Sequence, residues 1–246
     1  GYVTINQFGS QRVYDQLVEE LAELQASGAT PLVLDLRDNP GGLLTQGILV
    51  ADEFLREGDI VFQRARGVTQ RIASADPAGT DLPMVVLVNK NSASASEIVA
   101  GALQENGRAL VVGEPTYGKG VAQSVLSLAD GGQLAFTSFE WLTPARITIA
   151  QQGITPDVYA DDARYPNTIR VEGQGADPGQ VIEIVIDGEA VGSATANDEG
   201  DFEFITVGPR PEISPVQGEA IVDLASDPAL RVAVETLASE MASRAP

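Results

Sequence analysis

The first 160 residues alternate between apolar runs and amphipathic segments. PLVLDL (31–36) and MVVLV (84–88) are continuous apolar runs, as expected of parallel strands buried on both faces. Residues 11–25 carry apolar side chains at helical spacing. The same criteria predict helices in LLTQGILVADEFL (43–55) and SEIVAGALQEN (96–106), and strands in YVTIN (2–6), IVFQ (60–63) and ALVVG (109–113). This order predicts an α/β domain with helices packed on a mostly parallel sheet.

The pattern changes after this alternating part. VAQSVLSL (121–128) and QLAFTSFEWLT (133–143) alternate like strands, and Asp-Gly-Gly at 130–132 predicts the turn of an antiparallel hairpin. From residue 167 to 207 the chain is all β in character, with turn signals at 187–188 and 199–200. We interpret this part as a small, immunoglobulin-like β insert.

A Pro/Gly-rich linker, GPRPEISPVQG (208–218), follows the insert. The last predicted element is a helix over 228–242, with Asp227 as its cap and Pro228 in its first turn. We therefore divide the chain into a core (1–163), a β-rich insert with its linker (164–219), and a terminal segment (220–246) whose helix returns to the core.

Composition and charge exclude several classes of partner and of chemistry. The net charge of −20 disfavours nucleic acid and anionic membranes, because both need a basic surface. The chain has neither cysteine nor histidine, so we expect no disulfide, no metal site and no cofactor, and acid–base chemistry must use another side chain. No apolar run approaches a membrane span, and the start at Gly1 is that expected of a fragment or a mature product.

GEPTYGKG (113–120) is close to the phosphate-binding motif G-x-x-x-x-G-K-S/T. That motif needs a hydroxyl after its lysine and a helix that presents backbone amides to the anion. Here Gly120 replaces the hydroxyl, and the segment after Lys119 alternates like a strand. We therefore expect no nucleotide site.

The stretch NKNSASASEIVAGAL (89–103) places three serines where a buried strand becomes a helix, the crossing point at which α/β sheets carry reactive groups. The structural alternative is a capping box, with Ser94 as the helix cap and Glu97 three residues later. The local pattern alone favours the cap.

LDLRDNPGG (34–42) followed by VLVNKNSASASEIVAGALQENGRALVVGEPTYGKGVAQ (86–123) resembles the core of the carboxy-terminal processing proteases, which are serine peptidases with a Ser-Lys pair. The resemblance runs from Gly1 to about Asp157 and resumes in SDPALRVAVETL (226–237). It implies a crotonase/ClpP-like layered core. No part of this chain corresponds to the PDZ domain that family members usually carry, and the β insert is not part of the common pattern.

Carried over by motif, the resemblance implies Ser94 as nucleophile, Lys119 as general base and Gln123 as the residue that orients the lysine amine. It also implies an oxyanion hole made of the backbone amides of Gly41, Gly42 and Ala95. From the local sequence alone, Gln123 could be an ordinary glutamine of a strand, and Gly41-Gly42 could form an ordinary turn.

The residue chemistry agrees with this assignment. A serine hydroxyl needs a neighbouring base to become a nucleophile, and the chain has no histidine to serve. A lysine in water is protonated, so a catalytic lysine has to be kept from water. The neighbours of Lys119 are small and uncharged (Gly118, Gly120, Val121), which suits that requirement.

The sequence thus predicts a serine endopeptidase of the cell envelope that acts on polypeptides with accessible C-termini. We expect membrane association only through segments outside this chain, and we leave self-association open. Two alternatives stay open: a non-catalytic binding protein on the same scaffold, and acyl-thioester chemistry on a crotonase-like fold. The acidic surface disfavours the second, because coenzyme A carries phosphates.

Overall fold

The computed structural model describes residues 1–29, 31–77, 79–128, 131–162, 164, 168–186, 189–207 and 224–243. It divides into two compact units, one formed by 1–162 with 228–246 and the other by 163–227. The predicted linker at 208–218 and the turn residues Asp130, Asp187 and Gly188 lie outside the described residues.

The fold is mixed α/β, as the sequence predicts. The strands in chain order are β1 (Tyr2–Thr4), β2 (Leu32–Asp35), β3 (Asp59–Ala65), β4 (Val68–Ser74), β5 (Met84–Val88), β6 (Leu110–Gly113), β7 (Val121–Ser127), β8 (Gln133–Leu142), β9 (Val158–Tyr159), β10 (Thr168–Gly173), β11 (Val181–Ile186), β12 (Glu189–Thr195) and β13 (Phe202–Val207). The helices are α1 (Val13–Ala26), α2 (Leu44–Phe54), α3 (Ala95–Glu105) and α4 (Pro228–Ser243).

A five-stranded parallel sheet forms the centre of the first unit, in the order β1-β2-β5-β6-β9. Every residue of β2 and β5 is buried, which explains why both strands are apolar apart from Asp35, whose charge is paired with Arg37. Because the strands are parallel, the loops after β2, β5 and β6 leave the sheet at the same edge.

The helices cover this sheet with apolar faces. The face of α1 that is buried carries Val13, Leu17 and Leu21, at the spacing that predicts the helix. Helix α2 packs on α3, and Gly47 of α2 lies so close to Ala95 that a Cβ there would come within 3.1 Å of the alanine methyl. Helix α4 packs on β5 and β6 and is part of the first unit.

A second, antiparallel sheet of the first unit has the order β4-β3-β8-β7. Strands β7 and β8 pair from Val121–Glu140 to Ser127–Gln133, which confirms the predicted hairpin. Strand β7 has no partner on its other side among the described strands. Strand β4 was missed from the sequence, because its residues are exposed or only half-buried and show no apolar alternation.

The second unit contains two antiparallel pairs, β10 with β13 and β11 with β12. Its strands fall where the sequence shows all-β character. Within the described residues, no helix is both long and apolar enough to cross a bilayer.

Candidate active site

The loops that follow β2 and β5 are joined by hydrogen bonds from serines on both sides of Ser94. Ser92 Oγ donates to the Leu36 carbonyl at 2.8 Å, and Ser96 Oγ donates to the Asn39 carbonyl at 2.9 Å. The same Asn39 carbonyl accepts the Ala93 amide at 2.9 Å. Both serine side chains are fully buried. Ser92 and Ser96 therefore hold the two loops together, a role that the sequence pattern does not indicate.

Buried charges fix the loop after β2 from its other side. Arg37 pairs with Asp35 at 2.6 Å and with Asp162 at 3.6 Å, and the side chains of all three are almost completely buried. The Asp38 amide and carboxylate bond to the two ends of the Asn89 side-chain amide, at 3.0 and 2.8 Å. These contacts of Arg37 and Asp38 fix the conformation of the loop after β2.

Ser94 stands at the N-terminus of α3 in a strained backbone conformation, with φ 58° and ψ −114°. Few non-glycine residues adopt such angles, and those that do cluster at functional sites, where the surrounding structure holds them. The adjoining helix of 11 residues places its positive dipole end beside Ser94. Helix cap and reactive serine are therefore compatible descriptions of the same residue.

The carboxylate of Glu97, which is completely buried, connects Ser94 to the segment that carries Lys119. One oxygen, Oε2, accepts the backbone amides of Ser94 at 2.7 Å and of Lys119 at 3.0 Å. The other, Oε1, accepts the Gly118 amide and the Thr116 hydroxyl, both at 2.6 Å. A single side chain thus places the backbones of the two predicted catalytic residues side by side.

Lys119 is held through its backbone. Its carbonyl accepts the indole N–H of Trp141 at 2.8 Å, and its amide bonds to Glu97. Its side chain is half-buried, and its amine makes no hydrogen bond or ion pair with any residue that the structure describes. The strand β7 begins two residues later, which removes the helix that a phosphate-binding loop would need.

The other predicted site residues differ in how far the structure assembles them. Gln123 lies in β7 and is exposed, and within the described part of the chain no hydrogen bond joins it to Lys119. The Gly41 amide donates to Asn39 Oδ1 at 2.9 Å. Among the described residues, no backbone acceptor takes the amides of Gly42 and Ala95.

Gly41 is nevertheless adjacent to Ser94. A Cβ on Gly41 would lie 2.7 Å from Ser94 Cβ, 2.7 Å from the Ala93 carbonyl oxygen and 2.9 Å from the Ala95 nitrogen. Contacts below 3.0 Å force the backbone to move. The glycine is therefore needed so that the loop after β2 can approach the start of α3.

We expect Gly41→Ala to abolish the function of this site and to destabilise the fold. Its φ of 92° alone costs about 1 kcal/mol or more for alanine, and the overlap with Ser94 and Ala95 adds to that cost. Gly67→Ala is the matched control, because Gly67 has a φ of 79° but nothing within 4 Å of its Cβ position. Urea unfolding measures the stability of both variants. If Gly41→Ala and Gly67→Ala lose the same stability, the close approach at Gly41 is unimportant.

Glu114, in the same loop as Lys119, carries the one buried side-chain oxygen without a hydrogen-bond partner found among the described residues, Oε2. Burial raises the pKa of its carboxyl, and nearby Asp162 and Asp161 raise it further, while Lys90 lowers it. We assign it no catalytic role.

Comparisons with known proteins point to one family. Residues 1–160 match the family model described as Peptidase family S41. A carboxyl-terminal-processing protease of Picosynechococcus is 47% identical over 158 residues, which are 64% of this chain and 38% of that protein. A chloroplastic C-terminal processing peptidase of Tetradesmus obliquus is 40% identical over 184 residues, which are 72% of this chain and 39% of that protein.

The solved structure of a photosystem II D1 C-terminal processing protease matches with a TM-score of 0.61 and 40% identity. The matched region covers 65% of this chain and 42% of the chain in that structure. The chain therefore spans about two fifths of the length of the relatives that it matches.

Proposed function

Because this chain belongs to peptidase family S41, a family of serine peptidase hydrolases, we propose that it is an endopeptidase that cleaves proteins near their C-termini. The observation that supports the proposal most directly is the shared Glu97 oxygen, which brings the Ser94 and Lys119 backbones together. The strained Ser94 at a helix N-terminus supports it further. Among the described residues the Lys119 amine has no ion pair that would hold it away from the Ser94 hydroxyl, and the hydrogen bond between these two groups belongs to the proposal.

In the proposed reaction, Ser94 Oγ attacks the substrate carbonyl carbon while the Lys119 amine takes the hydroxyl proton. The carbonyl oxygen becomes an oxyanion, which the amides of Gly42 and Ala95 stabilise. Lys119 then gives the proton to the leaving amine, and an acyl-enzyme remains. Water hydrolyses that ester with Lys119 as base again. From the resemblance, we propose Gln123 as the residue that orients the amine, a contact that the described residues do not show.

A serine-reactive probe tests the nucleophile. We expect a serine-reactive fluorophosphonate to add to the protein once, on the peptide that contains Ser94, and to leave Ser94→Ala unmodified by intact mass. Ser92→Ala and Ser96→Ala are the matched controls, because their hydroxyls are buried and bonded to carbonyls. No labelling of the folded wild-type protein would favour the non-catalytic binding alternative, and labelling elsewhere would overturn the choice of Ser94.

We further propose that the substrates are polypeptides with accessible C-termini and that the protein works in the cell envelope. The proposal about substrates rests on the names of the relatives, which describe C-terminal processing. The crotonase/ClpP-like layering and the immunoglobulin-like character of the insert are proposals of the same kind, made from the resemblance and from the strand pattern.

A further inference from the structure

The hairpin β7–β8 presents an apolar face to solvent. Across the hairpin, Leu126 is paired with Leu134 and Ser124 with Phe136, so these side chains share one face of the two strands. Leu126, Leu134 and Phe136 are 54%, 49% and 46% exposed, and Leu128 at the end of the hairpin is 43% exposed. Large apolar side chains exposed together in this way mark interaction surfaces.

The outer edge of this hairpin is also open. Strand β7 is the last strand of its sheet, and no described strand covers its outer backbone groups. Proteins normally protect such edges with charges or prolines, because an unpaired edge invites pairing with another chain. Residues 121–139 contain no proline and a single charged residue, Asp130, in a chain with 50 charged residues among 246.

We propose that this surface, the edge of β7 with the apolar face of the β7–β8 hairpin, joins two copies of this chain. The net charge of −20 makes copies repel one another, so a contact between copies is most favourable where the surface lacks charge. A basic partner would instead be drawn to the acidic remainder of the surface. The uncharged hairpin is matched best by an equally uncharged strand, and a second β7 is one.

Antiparallel pairing of β7 with itself is sterically consistent. Ser124 is the central residue of Val121–Ser127, so a two-fold axis at Ser124 places Leu126 opposite Ala122 of the other copy, a large residue against a small one. Gln123 falls opposite Val125, and no charge faces another across the pair. The two four-stranded sheets become one continuous sheet, and the apolar faces of both hairpins lie next to each other.

A cysteine at the axis tests the register directly. The chain has no cysteine, so Ser124→Cys supplies a single thiol per copy. Residues opposite each other in an antiparallel pair have Cα atoms about 4.5–5.5 Å apart, which a disulfide can span. We expect mild oxidation to give a covalent dimer of the full chain. Val68→Cys, on the opposite edge strand β4 and 55% exposed, should stay monomeric on a reducing-agent-free gel.

Light scattering after size exclusion tests the apolar face. We expect a concentration-dependent dimer for the wild-type chain, and a dissociation constant at least about 100-fold higher for Leu126→Glu combined with Phe136→Glu. Val68→Glu should leave the dimer unchanged. A wild-type chain that is monomeric at every concentration would overturn the proposal, and so would a dimer that resists the double substitution or fails to cross-link through Ser124→Cys.

Discussion

Lys119→Ala is expected to lower kcat/KM for cleavage of an unstructured protein by about a thousandfold or more, because loss of a general base typically costs up to about 10⁴-fold. Stability should hardly change. The contacts that Lys119 makes with Glu97 and Trp141 use its backbone, and its amine has no partner among the described residues. Initial rates and thermal unfolding, measured on the same preparation, check both parts.

The chain offers a matched control, because Lys90 is the only other lysine. Lys90 is exposed and lies four residues before Ser94, so Lys90→Ala removes the same group from the same neighbourhood. It should keep nearly full activity. Lys119→Arg keeps the positive charge but cannot release its proton, and should be as inactive as the alanine variant. An active Lys119→Arg would show that the charge of Lys119 matters rather than its basicity.

The architecture of the first unit could be predicted because burial determines where apolar residues occur along its strands and helices. Strand β5 is apolar throughout, β2 is apolar except for Asp35, and α1 repeats its apolar residues every third or fourth position. The family was identified from LDLRDNPGG and NKNSASASE, and the comparisons confirm it. Strand β4 has no buried face, and the short strand β9 has only two residues, so neither leaves a pattern to detect.

The candidate site, too, could be predicted from the sequence only in part. The positions of Ser94 and Lys119 were available from motifs, but the residue that connects them was not. Glu97 was visible only as the last position of a capping box, which accounts for its bond to the Ser94 amide. Its bonds to Gly118 and Lys119 depend on a loop about 20 residues later that folds back over α3, and no local pattern encodes that approach.

Glu97→Gln is expected to cause the largest loss of stability among single side-chain changes at the site, about 3 kcal/mol, together with loss of activity. Both carboxylate oxygens accept from two donors each, and all four partners donate. The amide NH₂ of glutamine would face two of these donors in a completely buried place, where unsatisfied polar groups are costly.

Two further variants separate this effect from a general loss of acidic charge. Glu23→Gln on α1 removes the same charge from an exposed position and should change neither stability nor rate, since the surface side chains of a helix contribute little. Glu97→Asp keeps the acceptor but shortens its reach, so it should retain one pair of bonds and fall between the wild type and Glu97→Gln in urea unfolding. If Glu97→Gln unfolds at the same urea concentration as the wild type, the buried carboxylate is not what holds Ser94 and Lys119 together.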